Sequence, residues 1–419
     1  MLAHSTIGTN MTKDNRILIS GAGPVGSITG YYLAKHGVPV TVFDSAPATP
    51  RDHRASTVHP TTLQMLASIG ITEKIIPQGI ISPIFQFRDR FDDRVVAEFD
   101  YGILSDIFDF PYALQVEQHK VINTTHEIAK EYDTFELRRP SEVIEHVQDE
   151  DGVTLKVKNQ EGEIETHRGL YLLGTDGGRS VTRKGAGIDF PGFTWADRFV
   201  IATTEYDFGT QKGGKHHYRN YVAHPVQWCA LIKVAGDDMA GLWRILLPAM
   251  DDDSSGLEIG SAEWVQKKFV ECLPYEDEYK IIDINPYNVH QRVAETFHKG
   301  RVLLAGDAAH VNNPLGGMGM NGGIHDGLNL AEKLLNIWRE GKDSNELLAQ
   351  YDRQRRPTAL KYVQAQSIAN KELLQETDMQ QRRQRLDDLR STSEEKESCR
   401  EYLKKSSLWT MLEEAKNIA

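Results

Sequence analysis

The spacing of apolar side chains changes period several times along the chain, and each change marks an element. Ile17-Leu18-Ile19-Ser20 is a short apolar run of the kind that forms a buried strand. From Pro24 to about His36 the spacing becomes helical, Gly37 stops it, and Val38 to Phe43 returns to a strand. Arg16 to Asp44 therefore reads as β-α-β. Arg51 to Gly70 begins as a loop and becomes helical near Pro60. Ile81 to Phe99 alternates apolar and charged residues, as a half-exposed sheet does. A helix is expected from about Glu117 to Tyr132. A β meander follows, with turns at Asp151-Gly152 and Glu161-Gly162. Leu170 to Leu173 predicts a buried strand that runs into Gly174-Thr175-Asp176-Gly177. Phe199 to Pro248 is β-rich and aromatic, a helix is expected near Ser261 to Glu271, and a return strand near Tyr287 to Val293. Val302 to Ala305 predicts a last buried strand and Ile324 to Trp338 a helix. Glu372 to Ala419 is so highly charged that it predicts solvated helices.

Bulk properties narrow the function classes. The chain has 419 residues, 40% hydrophobic and 26% charged, enough for two or three ordinary domains. Its formal charge of -12 argues against nucleic-acid binding and against docking on anionic membranes. No run approaches the roughly 18 apolar residues that span a bilayer. Cys229, Cys272 and Cys399 form neither a CxxC pair nor a zinc spacing, so no metal site is expected and a reducing compartment is. Residues 1–15 are polar without an apolar core, which reads as a disordered tail rather than a secretory signal. A cytoplasmic location is the expectation.

Two glycine-rich loops carry the chemistry. Gly21-Ala22-Gly23-Pro24-Val25-Gly26 joins the first strand to the first helix. There Gly21 allows a tight turn, Gly23 lets the chain approach a pyrophosphate, and Gly26 permits helix-on-strand packing. The exposed N–H groups at the helix start favour a phosphate. Asp44 closes the second strand, where an acid accepts from ribose hydroxyls and disfavours a 2′-phosphate. The second loop runs from Gly306-Asp307-Ala308-Ala309-His310 through Pro314 to Gly316-Gly317-Met318-Gly319-Met320-Asn321. A protein that grips only NAD has no need of it. FAD is longer and must be anchored at its isoalloxazine too. Asp307 suits a ribityl hydroxyl, and the N–H groups from Gly317 to Asn321 suit the flavin pyrimidine edge.

With Asp176-Gly177-Gly178-Arg179-Ser180-Val181-Thr182-Arg183 between these loops, the chain resembles the single-component FAD-dependent aromatic hydroxylases, the para-hydroxybenzoate hydroxylase family, over residues 16 to about 365. The resemblance implies an α/β fold: a Rossmann-like FAD-binding domain, an inserted β-sheet substrate domain and a C-terminal helical region. The expected division assigns 16–80, 100–185 and 286–345 to the FAD domain, 81–99 and 186–285 to the substrate domain, and 346–419 to the helices. It implies FAD as cofactor, NADH or NADPH as co-substrate, and hydroxylation of a small phenol or N-heteroaromatic with dioxygen through a flavin C4a-hydroperoxide. A homodimer is the one assembly it leaves open. Other FAD oxidoreductases on the same scaffold, a halogenase or a reductase, and a non-catalytic flavoprotein are the competing readings.

The resemblance also assigns residues. Cofactor contacts are expected at Gly21, Gly23, Pro24, Val25, Gly26, Asp44, Arg54, Gln115, Val143, Asp176, Asp307, Pro314, Gly317, Gly319, Met320 and Asn321. Arg54 sits where the family has a pyrophosphate arginine, and Val143 where an apolar residue lies by the adenine. Tyr221, His224, Trp228 and Pro314 are the pocket candidates. Arg219 or Arg244 could pair with a substrate carboxylate, although solvated surface roles are the ordinary expectation for both. His310 is expected to hydrogen-bond locally rather than to catalyse. Asn313 stands where many relatives have a second proline, which places a polar group near the flavin loop. No residue declares itself a general base.

Overall fold

The structure is a computed structural model in which residues 15–51, 55–211, 216–249 and 256–419 are described. Arg54 and residues 1–14 lie outside the described residues, so the expectations attached to them find no counterpart here. A six-stranded sheet holds the cofactor-type elements in the order His298–Lys299, Val302–Leu304, Tyr171–Gly174, Ile17–Ser20, Val40–Phe43, Phe135–Arg138. All pairings are parallel except that of the edge strand His298–Lys299. The central strands are apolar on both faces because both are covered, as parallel sheets require. The helices Pro24–Lys35 and Met318–Glu340 pack against each other beside the sheet. The second helix starts six residues before the expected Ile324, because glycines hide the apolar period of its first turns.

An eight-stranded sheet is built from residues distant in sequence. Its order is His310–Val311, Ile281–Val293, Gly192–Thr204, Leu242–Ala249, Cys229–Val234, Arg219–Ala223, Ile84–Asp89, Arg94–Asp100. The strand Ile281–Val293 runs through residue 285, where the sequence division drew a boundary, so that cut falls inside one continuous strand. The Glu142–Gln148, Val153–Lys158 and Ile164–Gly169 strands form the separate antiparallel meander that the turn signals predict.

The C-terminal segment corrects the expectation of solvated helices. Met379–Glu394, Lys396–Ser406 and Trp409–Lys416 are helices, but Leu386, Leu389, Cys399 and Leu403 join the core under the large sheet. Their charges misled the reading because several are buried and paired. Arg382 donates two hydrogen bonds to Asp89 at 2.7 and 3.1 Å and a third to the Ala223 carbonyl. Removing one member of a buried pair strands the other charge. Arg382→Ala is expected to cost about 3 kcal/mol, the lower end of the usual range, because Arg94 still faces Asp89 at 3.9 Å. Urea unfolding checks this, and a loss under about 0.5 kcal/mol, typical of a surface site, would contradict it.

Candidate cofactor and substrate site

The N-terminal loop is shaped by backbone crowding. Gly21 has φ +103°, and a Cβ there would stand 2.5 Å from the Thr175 carbonyl oxygen. A Cβ on Gly26 would stand 2.1 Å from the Gly21 oxygen. A Cβ on Gly23 would meet nothing within 4 Å, so that face of the loop is open to a ligand. These are the separate duties the spacing of the three glycines implied.

A single cavity of about 1000 Å³ runs along this loop and past the second one. Gly21, Gly23, Pro24, Val25, Asp44, Val143, Asp176, Asp307, Pro314, Gly317, Gly319 and Met320 all line it. Two long helices begin at its wall, one after Gly23 and one after Gly317, which is left-handed at φ 69°. Neither carries a side-chain cap or an acid in its first turn. Free N–H groups and the positive end of each helix dipole therefore face the cavity, as a pyrophosphate and an electron-rich ring edge require. The volume of the cavity and its run past both loops, its two uncapped helix starts and the acids Asp44 and Asp307 fit FAD.

Three expected contacts do not line the cavity. Gly26 acts behind it through packing. Gln115 accepts from Thr57 Oγ1 at 2.8 Å, and Asn321 donates to the Thr57 and Gly317 carbonyls while accepting from the His59 N–H. Both side chains brace the loop from behind.

Asp44 accepts from the Ala22 and Ala46 N–H groups at 2.7 and 2.9 Å. Carboxylate oxygens keep further lone pairs for a ribose. Arg139, which the sequence reading missed, lines the cavity beside Asp44 and donates to the Ala22 carbonyl. Nothing around it in sequence marks it. Ser180 caps the short helix Val181–Gly185, and Asp176 accepts from Ser180 Oγ and the Thr182 N–H at its start. Arg183 is buried and ties the Asp176-Gly177-Gly178 segment to the second glycine loop through the Gly178 and Ala308 carbonyls. Arg179 lines the cavity.

His310 is buried and local in its bonding. Its Nε2 meets Asp326 at 2.7 Å, and Arg355 donates to the other Asp326 oxygen at 2.8 Å. Burial pushes the Asp326 carboxyl up, but the Arg355 guanidinium and the hydrogen bond to His310 hold it below its ordinary range. The triad pins the Gly306-Asp307 loop to the second helix.

Asn313 does not face the cavity. It donates from Nδ2 to the Ser367 carbonyl at 2.9 Å, and its N–H donates to Gln291 at 3.1 Å. Gln364 and Asn370 donate to the Val311 and Leu315 carbonyls. The helix Ala365–Gln375 and the π-helical turn before it, Ala359–Gln364, thus brace the flavin-type loop. A second proline would remove the bond from the residue 313 N–H.

The large sheet supplies the other wall. Register places Asn285, Ile201, Leu246, Ala230 and Tyr221 in one row across five strands, and all five line the cavity. Two residues further along the strands lies a second row, Asp283, Thr203, Arg244, Ile232 and Arg219. Arg244 and Ile232 line the cavity, and Arg219 sits one strand beyond. Both arginines are buried, at 8% and 3% exposure, which corrects the expectation of surface roles. Alternation alone could not reveal this, since it does not say which face a third layer covers. Tyr221 and Pro314 line the cavity, but Trp228 and His224 do not. Trp228 packs edge-on against Phe199, and His224 Nδ1 accepts from the Val226 and Gln227 N–H groups to close a turn.

Among the described residues no helix is long and apolar enough to cross a membrane. Residues 14–366 match the FAD binding domain family. The chain is 33% identical to para-nitrophenol 4-monooxygenase of Pseudomonas sp. (strain WBC-3), over 87% of this chain and 89% of that one. It is 29% identical to 6-hydroxy-3-succinoylpyridine 3-monooxygenase of Pseudomonas putida (strain DSM 28022 / S16), covering 86% and 89%. The crystal structure of p-nitrophenol 4-monooxygenase from Pseudomonas putida DLL-E4 superposes with a TM-score of 0.88 at 32% identity, over 96% of this chain and 99% of that one. That match takes in the C-terminal helices, which the motif resemblance had left out. The uncapped helix starts, the paired glycine loops and these relatives together place the chain in the family of FAD-dependent aromatic monooxygenases.

Proposed function

We propose that the chain hydroxylates a compact phenol of the para-nitrophenol type, with FAD held between the two glycine loops and NADH or NADPH as reductant. One observation carries this reading: the wall formed by Ile201, Leu246 and Ala230, flanked by Tyr221 and Asn285, bounds the same cavity as the Pro314–Met320 loop. Bound FAD supplies the activation of dioxygen, chemistry that no side chain performs.

The chain's own residues bind, orient and exclude water. The N–H groups behind Gly23 receive the pyrophosphate, Asp44 the ribose, Asp307 the ribityl chain, and the N–H groups after Gly317 the flavin ring edge. Ile201, Leu246 and Ala230 give the substrate ring an apolar floor, which displaces water from the reacting face. Tyr221 and Asn285 fix its in-plane rotation, so that one ring carbon is presented. The sheet-borne residues form the substrate part and the six-stranded sheet the cofactor part. A reducing cytoplasm suits the three free, buried cysteines.

The purified protein is expected to be yellow. Its NAD(P)H oxidation should be stimulated by 4-nitrophenol or a related phenol, with an oxygenated product. A protein without flavin, or one whose oxidation no phenol or hydroxypyridine changes, would overturn the proposal.

A further inference from the structure

The strand Ile281–Val293 reaches beyond the substrate wall that it helps to form. Along it Asn285, Tyr287, Val289 and Gln291 alternate with the more exposed Pro286, Asn288 and His290. The first three line the cavity, and Gln291 continues their face to the flavin-type loop. At about 3.3 Å per residue, roughly 20 Å of strand joins Asn285 to Gln291.

Gln291 is buried and bonded through both amide atoms. Its Oε1 accepts from the Asn313 N–H at 3.1 Å, and its Nε2 donates to Ser367 Oγ at 3.0 Å and to the Gln364 carbonyl at 3.3 Å. Asn313, fully buried, donates from Nδ2 to the Ser367 carbonyl and accepts from the Leu315 N–H at 3.1 Å on Oδ1. Gln364 and Asn370 hold the carbonyls of Val311 and Leu315 on either side of Pro314. The helix Ala365–Gln375 is itself fastened to the large sheet. Lys371 reaches Asp197 at 2.7 Å, and the His224 N–H donates to the Leu374 carbonyl at 2.9 Å.

One neutral side-chain network thus joins the substrate strand, this helix and the loop. Gln291, Asn313, Ser367, Gln364 and Asn370 are not among the cavity-lining residues, whereas Pro314, Leu315 and Gly316 are. Buried amides are costly to leave unpaired, and bonds in a closed network reinforce one another. The wall and the loop are therefore held at one spacing.

We propose that Gln291 and Asn313 are positioning residues: they fix the spacing between substrate wall and flavin loop, and this spacing sets the share of turnovers that hydroxylate. The inference rests on the phenol reading for its substrate. A coupled turnover places one atom of O2 on the ring and reduces the other to water, while NAD(P)H and a proton give NAD(P)+. In an uncoupled turnover the same reductant and proton convert O2 to hydrogen peroxide. A ring displaced by a fraction of an ångström loses the first outcome to the second.

The test uses FAD-loaded protein, NADH or NADPH, and 4-nitrophenol. Gln291→Met is expected to raise the hydrogen peroxide formed per NAD(P)H at least threefold, at unchanged FAD content. Asn313→Ala keeps its main-chain bond to Gln291 and should raise it about twofold. Arg382→Ala, destabilised away from the network, should keep the parent's ratio. A second readout needs no substrate. Amide hydrogen exchange of the 311–317 peptide, read by mass spectrometry, should quicken about tenfold in Gln291→Met. If that variant fails to fold, Asn313→Ala decides by both readouts. An unchanged peroxide ratio in both network variants, or an equal rise in Arg382→Ala, overturns the proposal even if phenols stimulate oxidation. If no phenol or hydroxypyridine stimulates it, the phenol reading falls and exchange decides: unaltered exchange then overturns the link between strand and loop, and quickened exchange upholds it.

Discussion

Gly26→Ala is expected to weaken FAD binding on the order of a hundredfold although residue 26 does not line the cavity. The new Cβ would sit 2.1 Å from the Gly21 oxygen and 2.4 Å from Thr175 Oγ1. The Thr175 hydroxyl can turn away, but the Gly21 carbonyl cannot yield cheaply. Gly21 is held by its N–H bond to the Phe43 carbonyl at 2.7 Å, and its own φ of +103° leaves few alternatives. The helix must therefore lift from the strand, and its N–H groups leave the place where a pyrophosphate would sit. Overpacking of this kind costs roughly 1–3 kcal/mol, and misplacing the helix start adds to it, so affinity should fall on the order of a hundredfold. Gly23→Ala is the contrasting variant. Its Cβ meets no protein atom, so thermal stability of the FAD-free protein should be unchanged, while FAD affinity should fall because the methyl occupies ligand space. Visible flavin absorbance after purification and flavin fluorescence titration measure both. A Gly26→Ala protein as yellow as the parent would refute the packing argument.

Acidification should destabilise the protein steeply, starting below about pH 6.5, well above the range of ordinary carboxylates. Three histidines are buried in neutral form. His59 is pushed down to about 3 by burial and by Arg219. His325 is pushed down to about 3 by burial and Arg355, and His126 to about 4 by burial and Arg139. Each makes a bond suited to a neutral ring: His59 to the Gly316 carbonyl, His325 to Thr62 and His126 to Ser27. In the unfolded chain all three take up protons near pH 6.5. The folded state binds fewer protons throughout the window from about 6.5 down to these depressed values. Stability is therefore fully present above the unfolded value and is lost as pH falls towards the folded ones. With up to three protons of difference the slope approaches about 4 kcal/mol per pH unit. Asp326, held below its ordinary range, adds the same sign at lower pH. Urea unfolding of the FAD-loaded protein at pH 7, 6 and 5 measures the slope. A flat profile would mean that the fold tolerates these histidines charged.

The cofactor half of the molecule was legible in the sequence because its elements are local. A strand, a tight turn and a helix start within about ten residues make a phosphate cradle whatever lies elsewhere. Hence Gly21, Gly23, Asp44, Asp307 and Gly317 fall on the cavity as expected. Gln115 and Asn321 do not line the cavity. The motif put them at the loop, and the structure shows their side chains bonded within it, to Thr57 and to the Gly317 carbonyl.

The substrate half was not legible, and the reason is range. Arg244, Arg219 and Asn285 reach or adjoin the cavity through sheet register between strands far apart in the chain, and a two-residue alternation says nothing about which face is covered. Trp228 and His224 had the right composition, but Trp228 packs against Phe199 and His224 closes a turn. The charged tail read as solvated because composition cannot show that Arg382 has a carboxylate waiting at Asp89. By itself the sequence determined the α/β cofactor scaffold and the kind of molecule it grips, since short-range backbone geometry suffices for both. Tertiary structure alone decided the substrate wall, the bracing of the flavin loop by the helix after Gln364, and the burial of Arg219 and Arg244. Each of these exists only once strands and helices distant in the chain are packed side by side.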